Sequence, residues 1–244
     1  MRSLTTFARY LVRSALVVCV MSLAVPGAAQ DVDVPTPPAA GDGRGSLFVP
    51  GGFLGFVAPV HDRVSVNVYG FYYGEVDVPV AQVDVPIRTA RFLTITPSYL
   101  YYQVPPSGLD TASQRPLGFT DTLEENQFRI DATVKLSIRA FEISSRSMFV
   151  RRFRPTDDIN RYRQRIGLAH PLQVNGHIWK PFATYEAFYE RSNSGWNRDR
   201  LIAGVTLPLV KHVSFQPSYI WEHNRVRGLR DVNYLQFGLI VSTK

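Results

Sequence analysis

Phe128-Arg129-Ile130-Asp131-Ala132-Thr133-Val134-Lys135-Leu136-Ser137-Ile138-Arg139 is apolar at every even position and polar or charged at every odd one. Successive side chains of a strand point to opposite faces, so this stretch reads as a strand with one apolar wall and one ionic wall. Twelve residues exceed the usual strand of a soluble domain. A strand of about 9 to 11 tilted residues crosses a bilayer as one stave of a barrel, its apolar side to lipid and its polar side to the lumen. On that reading Phe128, Ile130, Leu136 and Ile138 face lipid, and Arg129, Asp131, Thr133 and Lys135 face inward.

The start of the chain supports this address. Arg2, Arg9 and Arg13 precede or flank an apolar run from Ala15 to Val25, and Gly27, Ala28 and Ala29 offer a cleavage site before Gln30. Residues 1–29 thus read as a secretory signal peptide, too short and wrongly flanked for a spanning helix. No later stretch approaches the roughly 18 uninterrupted apolar residues that a spanning helix needs. Any membrane span must therefore be built from strands. The single cysteine, Cys19, lies within the signal, and Val18 before it is too large for a lipoprotein cleavage site. The mature chain has no thiol, which excludes disulfides, cysteine nucleophiles and zinc–thiolate sites.

Loss of residues 1–29 removes three arginines and no acids, taking the formal charge from +7 to +4. The remaining arginines alternate along strands instead of clustering on an arm or helix, so no nucleic-acid partner is expected. Residues 30–46, with Pro35, Pro37 and Pro38, have too little apolar content to pack and read as a flexible periplasmic lead. Residues 47–244 read as one β-barrel domain.

Strand patterns fall near 64–74, 80–88, 92–103, 126–139, 141–153, 159–169, 178–190, 199–209, 213–224 and 232–243. The second is weakened by Pro79 and Pro86. Short turns alternate with generally longer links, as outer-membrane barrels require, and counting back from a periplasmic C-terminus puts every short turn on the periplasmic side. The expected fold class is all-β: an antiparallel up-and-down transmembrane β-barrel of about ten strands, an even number, with eight or twelve as alternatives. Leu47 to Val60, rich in glycine and phenylalanine, stays unassigned between an extra strand, an interfacial patch and a lumen plug. Pro97, Pro181 and Pro217 recur at one spacing from Tyr99, Tyr185 and Tyr219, a weak hairpin repeat in which bulges are the expected accommodation. Phe71, Tyr72, Tyr73, Tyr99, Tyr101, Tyr102, Tyr189 and Trp221 suggest an aromatic girdle.

The most informative constellation is ionic. Arg161, Arg163 and Arg165 alternate along one strand and place three guanidiniums on one face. Val174-Asn175-Gly176-His177 signals a two-residue type I′ hairpin turn. If Val174 pairs with His177, paired residue numbers sum to 351, setting Arg165 opposite Glu186 and Arg161 opposite Glu190. Asp131, Glu142, Arg146, Arg198, Arg200 and Glu222 occupy positions that can also face inward. Such a network is either structural filling of a narrow lumen or an anion-selective constriction, since rings of arginine favour anions.

At these residues the chain resembles the bacterial family labelled domain of unknown function 2490. The resemblance rests on Glu124-Glu125-Asn126-Gln127-Phe128-Arg129, Glu142-Ile143-Ser144-Ser145-Arg146, Asn160-Arg161-Tyr162-Arg163, Pro171-Leu172, Tyr185-Glu186 with Phe188 and Glu190, Asn197-Arg198-Asp199-Arg200 and Pro217-Ser218-Tyr219, across roughly residues 64–243. It implies a secreted outer-membrane barrel and carries no established activity. The ending Ser242-Thr243-Lys244 departs from the terminal aromatic residue common in outer-membrane proteins.

The function expected is therefore an outer-membrane barrel, monomeric and not an enzyme, acting as a structural envelope protein or a narrow anion-preferring channel. Its expected partners are outer-membrane lipid and the barrel-assembly machinery, with any extracellular partner left open and no cofactor implied. One alternative is a lipid- or lipopolysaccharide-modifying enzyme using His223, with Glu222 and Ser218 nearby, although alternation sets His223 on the opposite face from both. Another is a soluble periplasmic binding barrel with its apolar faces inward. His61, His170, His177 and His212 fall mostly in predicted turns without metal-ligand spacing.

Overall fold

A computed structural model describes residues 46–73, 78–104, 123–153, 158–190, 195–225 and 231–243. The strands are β1 Ser46–His61, β2 Val64–Tyr73, β3 Val78–Asp84, β4 Ile87–Arg88, β5 Leu93–Val104, β6 Leu123–Ile138 and β7 Phe141–Phe153. They continue as β8 Asp158–Ala169, β9 Leu172–Val174, β10 His177–Glu190, β11 Gly195–Val210, β12 Val213–Asn224 and β13 Asp231–Ser242. β4 continues β3 past a break at Val85 and Pro86, and β9 pairs only with the start of β10, so the strands form eleven staves. The expected signal peptide, residues 1–29, and the expected lead before Ser46 lie outside the described residues.

Each stave pairs antiparallel with its sequence neighbour, and β1 closes the ring by pairing antiparallel with β2 and parallel with β13. A meander with an odd number of staves starts and ends in the same direction, so its closing pair has to be parallel. The sheet then has no edge to aggregate through. The stave beyond the expected even set is β1, formed by the stretch left unassigned. Its glycines hide it from a pattern reading: a Cβ on Gly55 would come within 2.8 Å of the Tyr69 ring, and one on Gly51 within 3.0 Å of the Tyr73 ring.

The short turns lie at one end of the barrel, and the stave ends that border residues 74–77, 105–122, 154–157, 191–194 and 226–230 lie at the other, the long-link end. In the tight turns Arg139 and Asn175 adopt positive φ, and Gly176 follows Asn175 at φ 80°, the twist that a type I′ hairpin requires. Ser46, last residue of the expected periplasmic lead, pairs with Asp231 at the long-link end. It therefore does not sit beside the short turns, because β1 runs with β13.

Alternation sorts the side chains. Phe128, Ile130, Leu136, Ile138, Phe149, Ile166 and Leu201 form an exposed apolar outer band, whereas Glu125, Gln127, Asp131, Arg152 and Glu222 are buried in the lumen. Among the described residues no helix is long and apolar enough to cross a membrane. The outer band belongs to a transmembrane barrel, not to a soluble one with its apolar faces inward.

Toward the long-link end the band is bounded by tyrosines whose hydroxyls donate to a polar side chain on the next stave. Tyr101 reaches Glu124 at 3.1 Å, Tyr185 reaches Asp199 at 2.5 Å and Tyr219 reaches Asn233 at 2.5 Å; Tyr99 donates to Asn126 in the same way. Each acceptor lies two residues beyond the tyrosine's register partner, toward the long-link end. This is an aromatic girdle with apolar rings below and wet polar groups above. Phe71, Tyr73 and Tyr102, expected in the girdle, line the lumen instead, since strand neighbours cannot all face outward.

Prolines are accommodated in two ways. Pro97, Pro181 and Pro217 keep an unshifted register, so the expected bulges are absent there. A strand residue points its N–H at one neighbour only, so a proline costs the ladder on that side and leaves the other intact. Across Pro217 the β11–β12 pairing lapses while β12–β13 continues. Bulges do occur beside Pro59 and Pro208, next to short turns.

Candidate functional site

The lumen is a layered ion-pair network built by parity. β8 sends Arg161, Arg163 and Arg165 inward, and β10 answers with Glu186, Phe188 and Glu190. Arg165 stands opposite Glu186 and Arg161 opposite Glu190, the register read from the Asn175-Gly176 turn.

Glu186, 1% exposed, holds the centre. It accepts from Arg163 through Nε at 3.0 Å and Nη2 at 2.8 Å, and from Arg165 Nη2 at 3.2 Å, with Arg200 Nη1 at 3.8 Å. The forked Arg163 contact is the stronger, although Arg163 is not the register partner. Glu222 accepts from Arg200 Nη2 at 2.5 Å and from Arg198 Nη1 at 3.2 Å. Toward the long-link end, Glu125 accepts from Arg152 at 2.6 and 2.7 Å. Glu190 there accepts from Arg161 and from Asn197 Nδ2, the latter at 3.0 Å. Asp131 pairs with Arg146 at 2.6 Å.

Phe188 is the hub of this arrangement. Its ring, 1% exposed, lies under the guanidiniums of Arg163 at 4.7 Å, Arg200 at 5.1 Å, Arg198 at 5.3 Å and Arg161 at 5.7 Å. A ring face is an acceptable neighbour for cations that have left bulk water, because its quadrupole is negative there.

Of the residues expected in the network, ten are brought together in the lumen. Glu142 is not. It sits at the short-turn end, 39% exposed, with Lys180 at 2.5 Å as its partner. Glu125, Arg152, Asp84 and Phe188 belong to the site but were not among the residues expected in the ionic network. Parity alone could have found Arg152, which shares the face of Arg146, and Glu125, which shares that of Asp131.

A cavity of about 510 Å³ runs beside the network. Eight arginines line it: 129, 146, 152, 161, 163, 165, 198 and 200; Asp84 is the one acidic residue among its lining. The remaining carboxylates are drawn into the wall behind their arginines, so the cavity presents guanidinium. Arg129 differs from the other seven: its donors go to Gln127 at 2.7 and 3.0 Å and to Gln82 at 3.2 Å, both neutral amides.

His223, Glu222 and Ser218 are not brought together. His223 faces outward with Nδ1 2.9 Å from Asp231, while Glu222 and the buried Ser218 face the lumen. Among the described residues no group of three or more His, Cys, Asp or Glu side chains is placed to hold a metal ion.

A sequence profile described as "Protein of unknown function (DUF2490)" matches residues 61–233. A search of curated proteins finds no match. Among solved structures the barrel is similar to LpxR from Salmonella typhimurium, at 11% identity over 74% of this chain and 84% of that one, with a TM-score of 0.48. It is similar to the NanC porin at 8% identity over 73% and 86%, with a TM-score of 0.46. An anion-selective porin from Comamonas acidovorans matches at 11% identity over 77% and 54%, with a TM-score of 0.36.

Proposed function

The chain belongs to the family of proteins of unknown function DUF2490, which brings no activity with it, and from the charged lumen we propose an outer-membrane barrel that binds and passes small anions. The observation that carries this reading is the composition of the cavity wall: eight arginines against one aspartate. Guanidiniums facing a narrow, partly desolvated passage attract anions and repel cations. On this reading the protein is a monomeric, non-enzymatic barrel delivered through a cleaved signal and inserted by the barrel-assembly machinery, with lipid as its surroundings. The test is the reversal potential of single barrels in a planar bilayer under a potassium chloride gradient. Anion preference is expected; cation preference, or silence at every voltage, overturns the reading.

A second reading, a closed structural barrel, draws on a different feature. Val49 and Val232 are fully buried and pack with Ile220 and Tyr234 on the adjoining staves β1, β13 and β12 near the long-link end of the lumen. Silence in the bilayer combined with full heat-modifiable folding favours it.

A further inference from the structure

The charge in the lumen is not spread around its circumference. Every arginine that lines the cavity stands on β6, β7, β8 or β11, an arc closed up by β10. The opposite arc, running β12, β13, β1, β2, β3 and β5, contributes no cation to the lining. It contributes rings. Phe53 lies 5.5 Å from Phe71 and 6.5 Å from Tyr69, and Tyr69 lies 6.0 Å from Phe71. These rings have been given room: a Cβ on Gly238 would overlap Phe53, as one on Gly55 would crowd Tyr69.

Three contacts join the two arcs: Arg152 Nη2 donates to the Tyr102 hydroxyl at 2.9 Å, Arg200 lies 6.0 Å from the Tyr234 ring, and the third belongs to Arg129. Arg129 Nη1 donates to Gln82 at 3.2 Å, and Gln82 is the register partner of Tyr69 on the aromatic side. The arginine whose partners are all neutral amides therefore sits at the boundary between the basic wall and the ring cluster. A hydrophilic anion would use only one wall of this cavity, and a neutral aromatic only the other. A cavity of about 510 Å³ is within the usual range for small-molecule sites, about 300 to 1,000 Å³.

Resting on the anion reading above, we propose that the ligand is a small amphiphilic monoanion, a carboxylate bearing an aromatic or short alkyl body. Arg129 takes the carboxylate, and Phe53, Tyr69 and Phe71 take the body. Burying an apolar body against the rings adds affinity that acetate cannot draw on, whereas an uncharged analogue leaves the guanidinium unsatisfied.

The test is calorimetric titration of the full barrel in lipid nanodiscs with benzoate, acetate and benzyl alcohol. Benzoate is expected to bind about tenfold or more tightly than either of the others. Phe71→Ser should weaken benzoate and leave acetate unchanged, and Arg129→Gln should weaken both carboxylates; heat-modifiable gel mobility checks that each variant folds. Equal binding of benzoate and acetate, equal binding of benzoate and benzyl alcohol, or an unaltered Phe71→Ser profile overturns the proposal. If chloride preference persists in the bilayer while any of these holds, this inference alone fails. If the barrel is also silent or cation-selective, the reading beneath it fails too.

Discussion

Replacing Glu186 by glutamine removes one charge and almost no volume from the middle of the lumen. Arg163 and Arg165 have no other carboxylate among their ion pairs, whereas Arg200 keeps Glu222 at 2.5 Å. Arg163, buried, and Arg165, 27% exposed, are thereby left without an anion, and stranding a buried charge in this way costs about 3 to 5 kcal/mol. Glu142→Gln is the matched control: Glu142 and Lys180 are 39% and 38% exposed, where water screens the pair and about 1 kcal/mol or less is at stake. Unfolding in urea from phospholipid micelles can be followed through Trp179, Trp196 and Trp221, which lie on the exposed outer surface and report loss of the lipid contact. The freed arginines should also take up added anion, so a phosphate titration should return about 1 to 3 kcal/mol to E186Q, and less to the wild type, at 10 to 100 times the dissociation constant. If E186Q and E142Q lose the same small amount, the lumen is wet enough to screen its charges. The argument from a desolvated arginine wall then collapses.

Glu222→Gln should cost a comparable amount, and the double variant with E186Q should deviate from additivity by about 0.5 kcal/mol or more, since Arg200 touches both carboxylates; the same unfolding assay measures the coupling. Arg129→Gln should change stability by about 1 kcal/mol or less, because no carboxylate is stranded, yet shift the reversal potential toward cations. Gly204→Ala should destabilise by about 1 to 3 kcal/mol, because the new Cβ would lie 2.7 Å from the Pro217 carbonyl oxygen, a backbone atom that cannot swing aside. Tyr219→Phe should cost only about 1 kcal/mol or less in urea unfolding, since Asn233 is left at a surface where water can replace the hydroxyl.

Ten of the staves were legible because their alternation is driven by two solvents, lipid outside and a charged lumen inside, that accept opposite side chains. The Asn175-Gly176 turn then set a register accurate enough to face Arg165 with Glu186. β1 was not legible as a strand, because its inward positions include glycines whose purpose is to admit rings from β2, and a missing side chain leaves no period to read. Nor could parity reveal the division of the lumen into a basic arc and an aromatic arc. That division depends on which staves are neighbours after closure, a property of the ring and not of any one strand. The sharing of Glu186 between Arg163 and Arg165 was hidden for a related reason: a long guanidinium reaches past its register partner to the diagonal one.

The parallel pairing of β1 with β13 bears on biogenesis. The two staves that complete the ring come from opposite ends of the described chain, so every segment between them must be laid down before the last ladder can form. Until β13 is available, β1 presents an unpaired row of amides and carbonyls, and in hydrocarbon each such group is heavily penalised. One particular seam must therefore stay sheltered until the last stave arrives. A chain that loses its final stave is not a slightly smaller barrel but an open sheet, fit for degradation and not for the membrane.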